Sequence, residues 1–522
     1  MLLSRSAKNT LALASVCLAS LMFGLEISSV PAALPTLEKV LHGNFRQMQW
    51  IMNAYTIACT TVLMATGTLA DRFGRKRLFL CSIALFGITS LICGLAQSTS
   101  LLIVSRFLQG LSGGAMLICQ VAVLSHQFRE GQERSKAFSW WGSIFGIGLG
   151  FGPIIGGLIV ALSNWQWVFL VHGALAIITL LLAANGVQES KDPEAQKLDK
   201  AGIVFLSLSV FALTYFITQG SDLGFTSLIA IGVLAACAIS FLIFLYAEKT
   251  NPHPMFDFSV FRIRNFSGAI LGSMGMNFSF WPFMIYFPVY FQSGLGYDSV
   301  TAGLSLLAYT LPTLVVPPLA ERLMFRYRPG LVIPVGLFTI GLGFLLMRYG
   351  IDVPHANWLT ILPGSLLAGI GLGMTNTPVT NTTTAAVSAS RAGMASGIDM
   401  SARLITLAIN IALMGFILVE GIASSLKTAL PGSFDASRLP GVAESMASGS
   451  VAALQQAAPQ LPASQVSAIF HAALVQSFRL VMLYGGIGVW ILAALSFLVF
   501  GTRKVSSEEN APEAEFACRE LT

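Results

Sequence analysis

Charge is what this sequence has least of. Lys and Arg number 30 and Asp and Glu 24 in 522 residues, 10% of the chain, where soluble globular proteins carry roughly 25%. So few charges cannot wet the surface of a soluble fold of this length. That excludes a water-soluble enzyme, a nucleic-acid-binding protein and a disordered scaffold. The 7 cysteines lack metal-ligand or disulfide spacing. Cys17, Cys59, Cys81, Cys93, Cys119 and Cys237 fall in apolar runs and Cys518 in the C-terminal tail, where they read as small packing residues. The 6 histidines (His42, His126, His172, His253, His355, His471) are scattered too, which argues against a membrane enzyme with clustered ligands. There is no GxxxxGK[ST] run to cradle a nucleotide, so ATP-driven transport is unsupported. No metal or organic cofactor and no nucleic-acid partner is expected.

Apolar length is what the sequence has most of, with 55% hydrophobic residues and a mean hydropathy of +0.74. A helix crosses a ~30 Å hydrocarbon core with about 20 apolar residues. Fourteen such runs lie near 11–34, 48–69, 79–97, 100–123, 138–162, 166–187, 201–219, 226–247, 267–291, 299–320, 330–349, 359–385, 393–419 and 479–501. An all-α polytopic membrane protein follows. The even number puts both termini on one side, and the basic residues say which. With the N-terminus in the cytoplasm, the inner loops hold most of the positives, Arg72, Arg75, Lys76 and Arg77 among them. The outer segments hold only Lys39, Arg46, Lys427 and Arg438. The first run is too long for a signal sequence and contains Glu26, so no cleavable leader is expected. Segment 420–478, rich in Ala, Ser and Pro, is expected to be an outer hairpin or amphipathic helix. The acidic tail 506–522 is expected to be disordered.

Two stretches repeat. Leu69-Ala70-Asp71-Arg72 after the second run matches Leu319-Ala320-Glu321-Arg322 after the tenth, and Gly110 and Gly114 match Gly369 and Gly373. Parallel repeats of this kind build transporters with a site between the halves. The expected units are a six-helix bundle over 1–187, two additional helices with linkers over 188–250, and a second six-helix bundle over 251–505.

The segment Gly67 to Arg77 carries Gly67, Asp71, Arg72, Gly74, Arg75 and Lys76 between two apolar runs. Glycine gives such a turn backbone room, and Asp71 can pair with Arg or cap a helix start. The first run carries Glu26 before Ser28, Pro31 and Pro35. An acid in a span is costly to ionise, so it suits a group that takes up and releases protons; a permanently hydrogen-bonded structural Glu is the alternative. In the fourth run, Arg106 cannot shed its charge. It requires a partner or a wet cavity, unless it snorkels to the nearby surface. The fifth run holds Gly146, Gly150, Gly152-Pro153 and Gly156-Gly157. Glycines four apart clear a face for close contact, and proline kinks a helix. Asp399 and Arg403, four apart, face each other on one helix; this pair reads as mainly structural, with Asp399 a secondary proton candidate. A stripe of Phe280, Met284, Phe287 and Phe291, with Asn376 and Thr380 in the twelfth run, would make a soft wall for an amphipathic ligand. Lipid-facing aromatics are the bland alternative.

The loop motif resembles the signature loop of the major facilitator superfamily, and Gly152-Pro153-x-x-Gly156-Gly157 resembles the motif of its antiporters. Glu26 with its flanking residues and Ser105-Arg106 with Gln109-Gly110 are similar to the first- and fourth-span motifs of the fourteen-span drug:proton antiporters. Asp is usual there where Glu26 stands, and Asn where Pro31 stands. The resemblance covers essentially all of 10–505. It implies a major facilitator fold of two six-helix bundles plus two extra central helices. It also implies multidrug efflux by alternating access in the cytoplasmic (inner) membrane, in exchange for protons, with Glu26, Arg106, Asp399 and Arg403 as candidates for proton coupling and the Asp71 loop as gate. A dedicated exporter of one metabolite, such as an antibiotic or siderophore, stays open, as does, less favoured, an uptake symporter. In a host with two membranes, such exporters can work with a periplasmic adaptor and an outer-membrane channel.

Overall fold

The computed structural model describes residues 4–42, 45–129, 131–191, 199–224, 226–251, 258–353, 355–388, 391–430, 438–447 and 449–501. Among the described residues there is no strand. The expected disordered tail lies outside them. Six long helices open the chain: α1 (Arg5–Val40), α2 (Phe45–Phe73), α3 (Arg75–Gly94), α4 (Thr99–Gln127), α5 (Gly131–Leu162) and α6 (Gln166–Gly186). Short polar side chains start several of them. Ser4 and Ser98 each accept a bond from a first-turn N–H, which satisfies a donor the helix itself leaves free. α7 (Lys200–Leu223) and α8 (Leu228–Thr250) follow as a hairpin. Then come α9 (Arg264–Val289), α10 (Ser299–Thr310), α11 (Pro312–Arg326), α12 (Pro329–Asp352), α13 (Trp358–Ala385) and α14 (Ala392–Ala429). The chain closes with the short α15 (Leu439–Ala447) and α16 (Val451–Ala457) and the long α17 (Ala463–Phe500).

By length and composition, 11 helices can cross a bilayer, or 12 if the bent α5 is taken as one span. Helices α2 and α9 fall outside that number because Asn, Thr, Ser and Gly dilute their apolar content. The run 299–320 is split between α10 and α11, since Pro312 has no N–H to continue the ladder. The last run begins sixteen residues earlier than expected, at Ala463, and α14 continues to Ala429. Segment 420–478 is thus mostly helical. Leu439, Val442, Met446 and Leu454 pack with Met414, Leu418, Phe470 and Leu474 in one core.

Helices α1–α6 contact one another, and α9–α14 with α17 form a second set of contacts. The sets meet along α2 with α14 and along α5 with α10 and α11. α7 leans on α2 and α14 at that seam. Leu228, Ile229, Ile239 and Leu242 of α8 are exposed, as suits a surface whose solvent is lipid. The repeated glycines do the same job twice. A Cβ on Gly110 would strike the Tyr55 carbonyl of α2, and one on Gly369 would strike the Tyr309 carbonyl of α10.

Candidate functional site

Fully buried among α1, α2, α4 and α6 is a cluster of charges. Glu26 of α1 and Arg106 of α4 form an ion pair through Oε1 and Nη1, both with no exposed side-chain surface. The guanidinium donates also to the Ile51 carbonyl (3.0 Å) and to Gln109 Oε1 (2.7 Å). Its carbon lies 4.4 Å from the centre of the Tyr55 ring, a cation–π contact. Gln109 passes the chain on by donating to Ser90 Oγ at 2.7 Å. The second Glu26 oxygen, Oε2, faces Nδ1 of His172 at 3.4 Å. The apolar neighbourhood makes each of these bonds matter, because an unpaired buried charge is strongly destabilising. Arg106 thus does not snorkel; its partner is the other proton-coupling candidate of the first half. Tyr55, Gln109 and His172 were not among the expected site residues. Gln109 stands three residues from Arg106 on one helix face, and a lone His inside an apolar run is itself a signal.

A second buried cluster surrounds Asp399 and Arg403 of α14. Arg403 Nε donates to Asp399 Oδ1 at 3.1 Å. Asp399 also accepts from Ser273 and, at 2.9 Å, from Thr380. Arg403 reaches Asn376 Oδ1 and Thr380 Oγ1, each at 2.5 Å. Asn376 and Thr380 were expected on a substrate cavity; the structure places them in this network instead. A buried ion pair requires further hydrogen bonds, and two side chains a helical turn apart on α13 supply them. The aromatic stripe is likewise core in this structure. Phe280, Phe287 and Phe291 are buried, Phe280 stacks on Tyr309 with centroids 4.0 Å apart, and Met284 packs partly buried against the same cluster. Helices α12, α13, α14 and α17 surround α9, so a stripe at helical spacing is covered on several sides.

The Gly67–Arg77 segment ties the two sets of helices together. Asp71 accepts from the backbone N–H of Gly393 (3.2 Å) and Met394 (3.1 Å), the second and third residues of α14. It therefore caps a helix of the other half, where the helix dipole favours a negative charge. Arg75 holds the same carboxylate from one turn on, at 2.6 Å. Gly67 abuts Gly393 so closely that a Cβ would overlap its carbonyl. Gly74 has φ +110°, a backbone conformation that favours glycine, and starts α3. Lys76 Nζ donates to the Ala184 carbonyl at 2.6 Å, and Arg72 lies against the Phe73 ring. The repeat partner of Asp71 does the matching work. Glu321 of α11 accepts from Ser135 (3.0 Å), in the first turns of α5, and from Asn381 (2.8 Å). Arg134 beside it bonds Asn381 and Thr384 of α13, each at 2.6 Å. The sequence did not mark Arg134 or Asn381 as neighbours of Glu321.

Helix α5 uses its glycines on two faces. Cβ atoms on Gly146 and Gly150 would press on Thr313 and Thr310 of the second set. Cβ atoms on Gly152 and Gly156 would overlap Ser28 and Ser29 of α1. Gly157 has open space around it. The two pieces of the helix, Gly131–Gly152 and Ile154–Leu162, meet at 51° across Pro153.

The family model "Major Facilitator Superfamily" matches residues 16–410. The multidrug resistance protein Stp of Mycobacterium tuberculosis is 30% identical over 406 residues, 78% of this chain and 75% of that protein. The tetracenomycin C resistance and export protein of Streptomyces glaucescens is 28% identical over 520 residues, covering 96% and 93%. Among solved structures, the human organic anion transporter MFSD10 superposes with a TM-score of 0.61 at 13% identity, over 96% of this chain and 100% of that one. At that identity the likeness speaks for the fold.

Proposed function

This chain belongs to the Major Facilitator Superfamily and is a multi-pass membrane transporter, and we propose that it exports amphipathic drugs or toxic compounds in exchange for protons. On this reading it has fourteen spans in the cytoplasmic membrane, with both termini inside. Residues 1–187 and 251–505 are the two six-helix bundles, and 188–250 add the α7–α8 pair. The bundles rock about a central cavity. Asp71 on the start of α14 and Glu321 beside the start of α5 hold the inner side shut and must release for substrate to enter.

The observation that carries the proposal is the buried Glu26–Arg106 pair. A proton arriving at Glu26 removes the carboxylate charge, weakens its hold on Arg106 and frees α1 to move against α4. Release of that proton inside restores the pair. Each charge moved gains about 2.3 kcal/mol per 100 mV, enough with a pH gradient to concentrate substrate outside. The names of the relatives support export, and the two-faced glycine helix α5 gives the bundles a close sliding contact.

The test is ethidium accumulation by inverted vesicles under an imposed pH gradient. We expect uncoupler-sensitive accumulation that Glu26→Gln lowers at least tenfold, a loss of about 1.4 kcal/mol or more of driving interaction. Accumulation indifferent to the uncoupler and to this protein sinks broad drug export, whereas full activity of Glu26→Gln sinks only the proton site. One observation favours a second reading, a dedicated exporter: the relative aligned along 96% of this chain is named for a single compound. A compound panel in which one aromatic natural product alone is exported would select it.

A further inference from the structure

The His172 imidazole is a titratable group of the first-half cluster to which the proposed proton cycle gives no part. Its side chain is wholly buried in α6. Nδ1 lies 3.1 Å from the Val168 carbonyl of its own helix and 3.4 Å from Glu26 Oε2, while Nε2 lies 3.2 Å from the Met22 carbonyl of α1. All three neighbours are acceptors. A neutral imidazole has one N–H and one lone pair, so it can serve only one side of the ring and sets its lone pair against an oxygen on the other. The imidazolium has an N–H for each side. Meanwhile Glu26 Oε2 has no hydrogen-bond donor within normal reach, and Arg106 occupies the other oxygen. One proton on His172 removes both mismatches.

We propose that His172 and Glu26 form a proton-relay pair, in which the imidazole holds the transported proton and exchanges it with Glu26 Oε2. The proposal rests on the proton-coupled reading above. The step is a transfer along one line: the Nδ1–H bond breaks, an Oε2–H bond forms, and imidazolium plus carboxylate become neutral imidazole plus carboxylic acid. The present 3.4 Å must shorten to normal hydrogen-bond length for this. Glu26, once neutral, lets go of Arg106. From α1 the titratable group facing the ring is Glu26, with Arg106 of α4 on its far side. From α3 the ring meets Phe86 edge-on at 5.8 Å. The charged residues of α5, Glu133, Arg134 and Lys136, sit in its first turns, at the end remote from Leu162 and α6.

The variant that separates this from a structural role is His172→Gln. Glutamine can donate to the Met22 carbonyl or to Glu26 but has no group that takes up and releases a proton near neutral pH. In reconstituted full-length protein whose thermal unfolding shows it folded, we expect pH-gradient-driven ethidium accumulation to fall about a hundredfold, the lower end of what a positioned acid–base group contributes. The carboxyl C=O infrared band of Glu26, assigned by its loss in Glu26→Gln, should shift its titration midpoint in His172→Gln. Wild-type accumulation and an unshifted band in the Gln variant overturn the relay. Should the wild-type protein ignore the pH gradient, the proton-coupled reading fails; the infrared midpoint, moved or unmoved by His172→Gln, then still decides whether the two groups share a proton.

Discussion

Asp71 shows how much one side chain can decide at a helix end. Its carboxylate accepts from two N–H groups at the start of α14 and from Arg75, so Asp71→Ala takes the carboxylate away from two buried backbone donors and removes one anionic contact of the Arg75 guanidinium. A lost cap costs about 0.5–2 kcal/mol, and at about 1.4 kcal/mol per factor of ten the latched state should lose roughly tenfold in population. The measurement is maleimide labelling of a cysteine placed at Ser396, buried one turn along α14. It should react faster in the Asp71→Ala background, and an unchanged rate would show that Asp71 holds nothing shut. The type and position of Asp71 were plain in the sequence, and so was its capacity to cap. Which helix it caps was not, because its acceptor role is completed by backbone atoms more than three hundred residues away.

Among the helices, α5 carries the sharpest contrast. Gly152→Ala puts a methyl group into Ser28 of α1, whereas Gly157→Ala meets open space. Overpacking costs about 1–3 kcal/mol, while Ala in place of a helical Gly gains up to about 1 kcal/mol. The thermal midpoint in detergent should therefore fall for Gly152→Ala and hold or rise for Gly157→Ala. Equal midpoints would mean that α1 and α5 do not pack as closely as they do here. The glycine spacing announced a close-packed helix. It did not announce that Gly146 and Gly150 serve the other half while Gly152 and Gly156 serve α1, since that depends on how α5 is rotated between its neighbours.

Across the whole molecule, Asp71 and Glu321 close the two lines where the halves meet, α2 on α14 and α11 on α5. The two acids occupy matching places in the repeat and hold different partners, Gly393, Met394 and Arg75 for Asp71 and Ser135 and Asn381 for Glu321. Separated sites combine nearly additively, so Asp71→Ala with Glu321→Ala should raise the labelling of Ser396→Cys by roughly the product of the single effects. A double variant no faster than either single one would make them parts of one latch. Short matching strings around Asp71 and Glu321 hinted at this symmetry; the shared orientation of Gly110 and Gly369 against α2 and α10 gives it a packing basis.

Membrane residence, helical architecture, and the places of the Asp71 loop and of the scarce charged residues were all legible in the chain itself. Burial of backbone polar groups in lipid allows few architectures, and apolar length and basic loops are local properties. Pairing is not local. Glu26 lies 80 residues from Arg106, and a shift of two residues, about 200° of helix turn, suffices to point either one away from the other. Their union, the addition of His172, and the conversion of the Asn376 and Thr380 cavity wall into supports for Asp399 and Arg403 came from helix rotation and register. Those are set by close packing across many contacts at once.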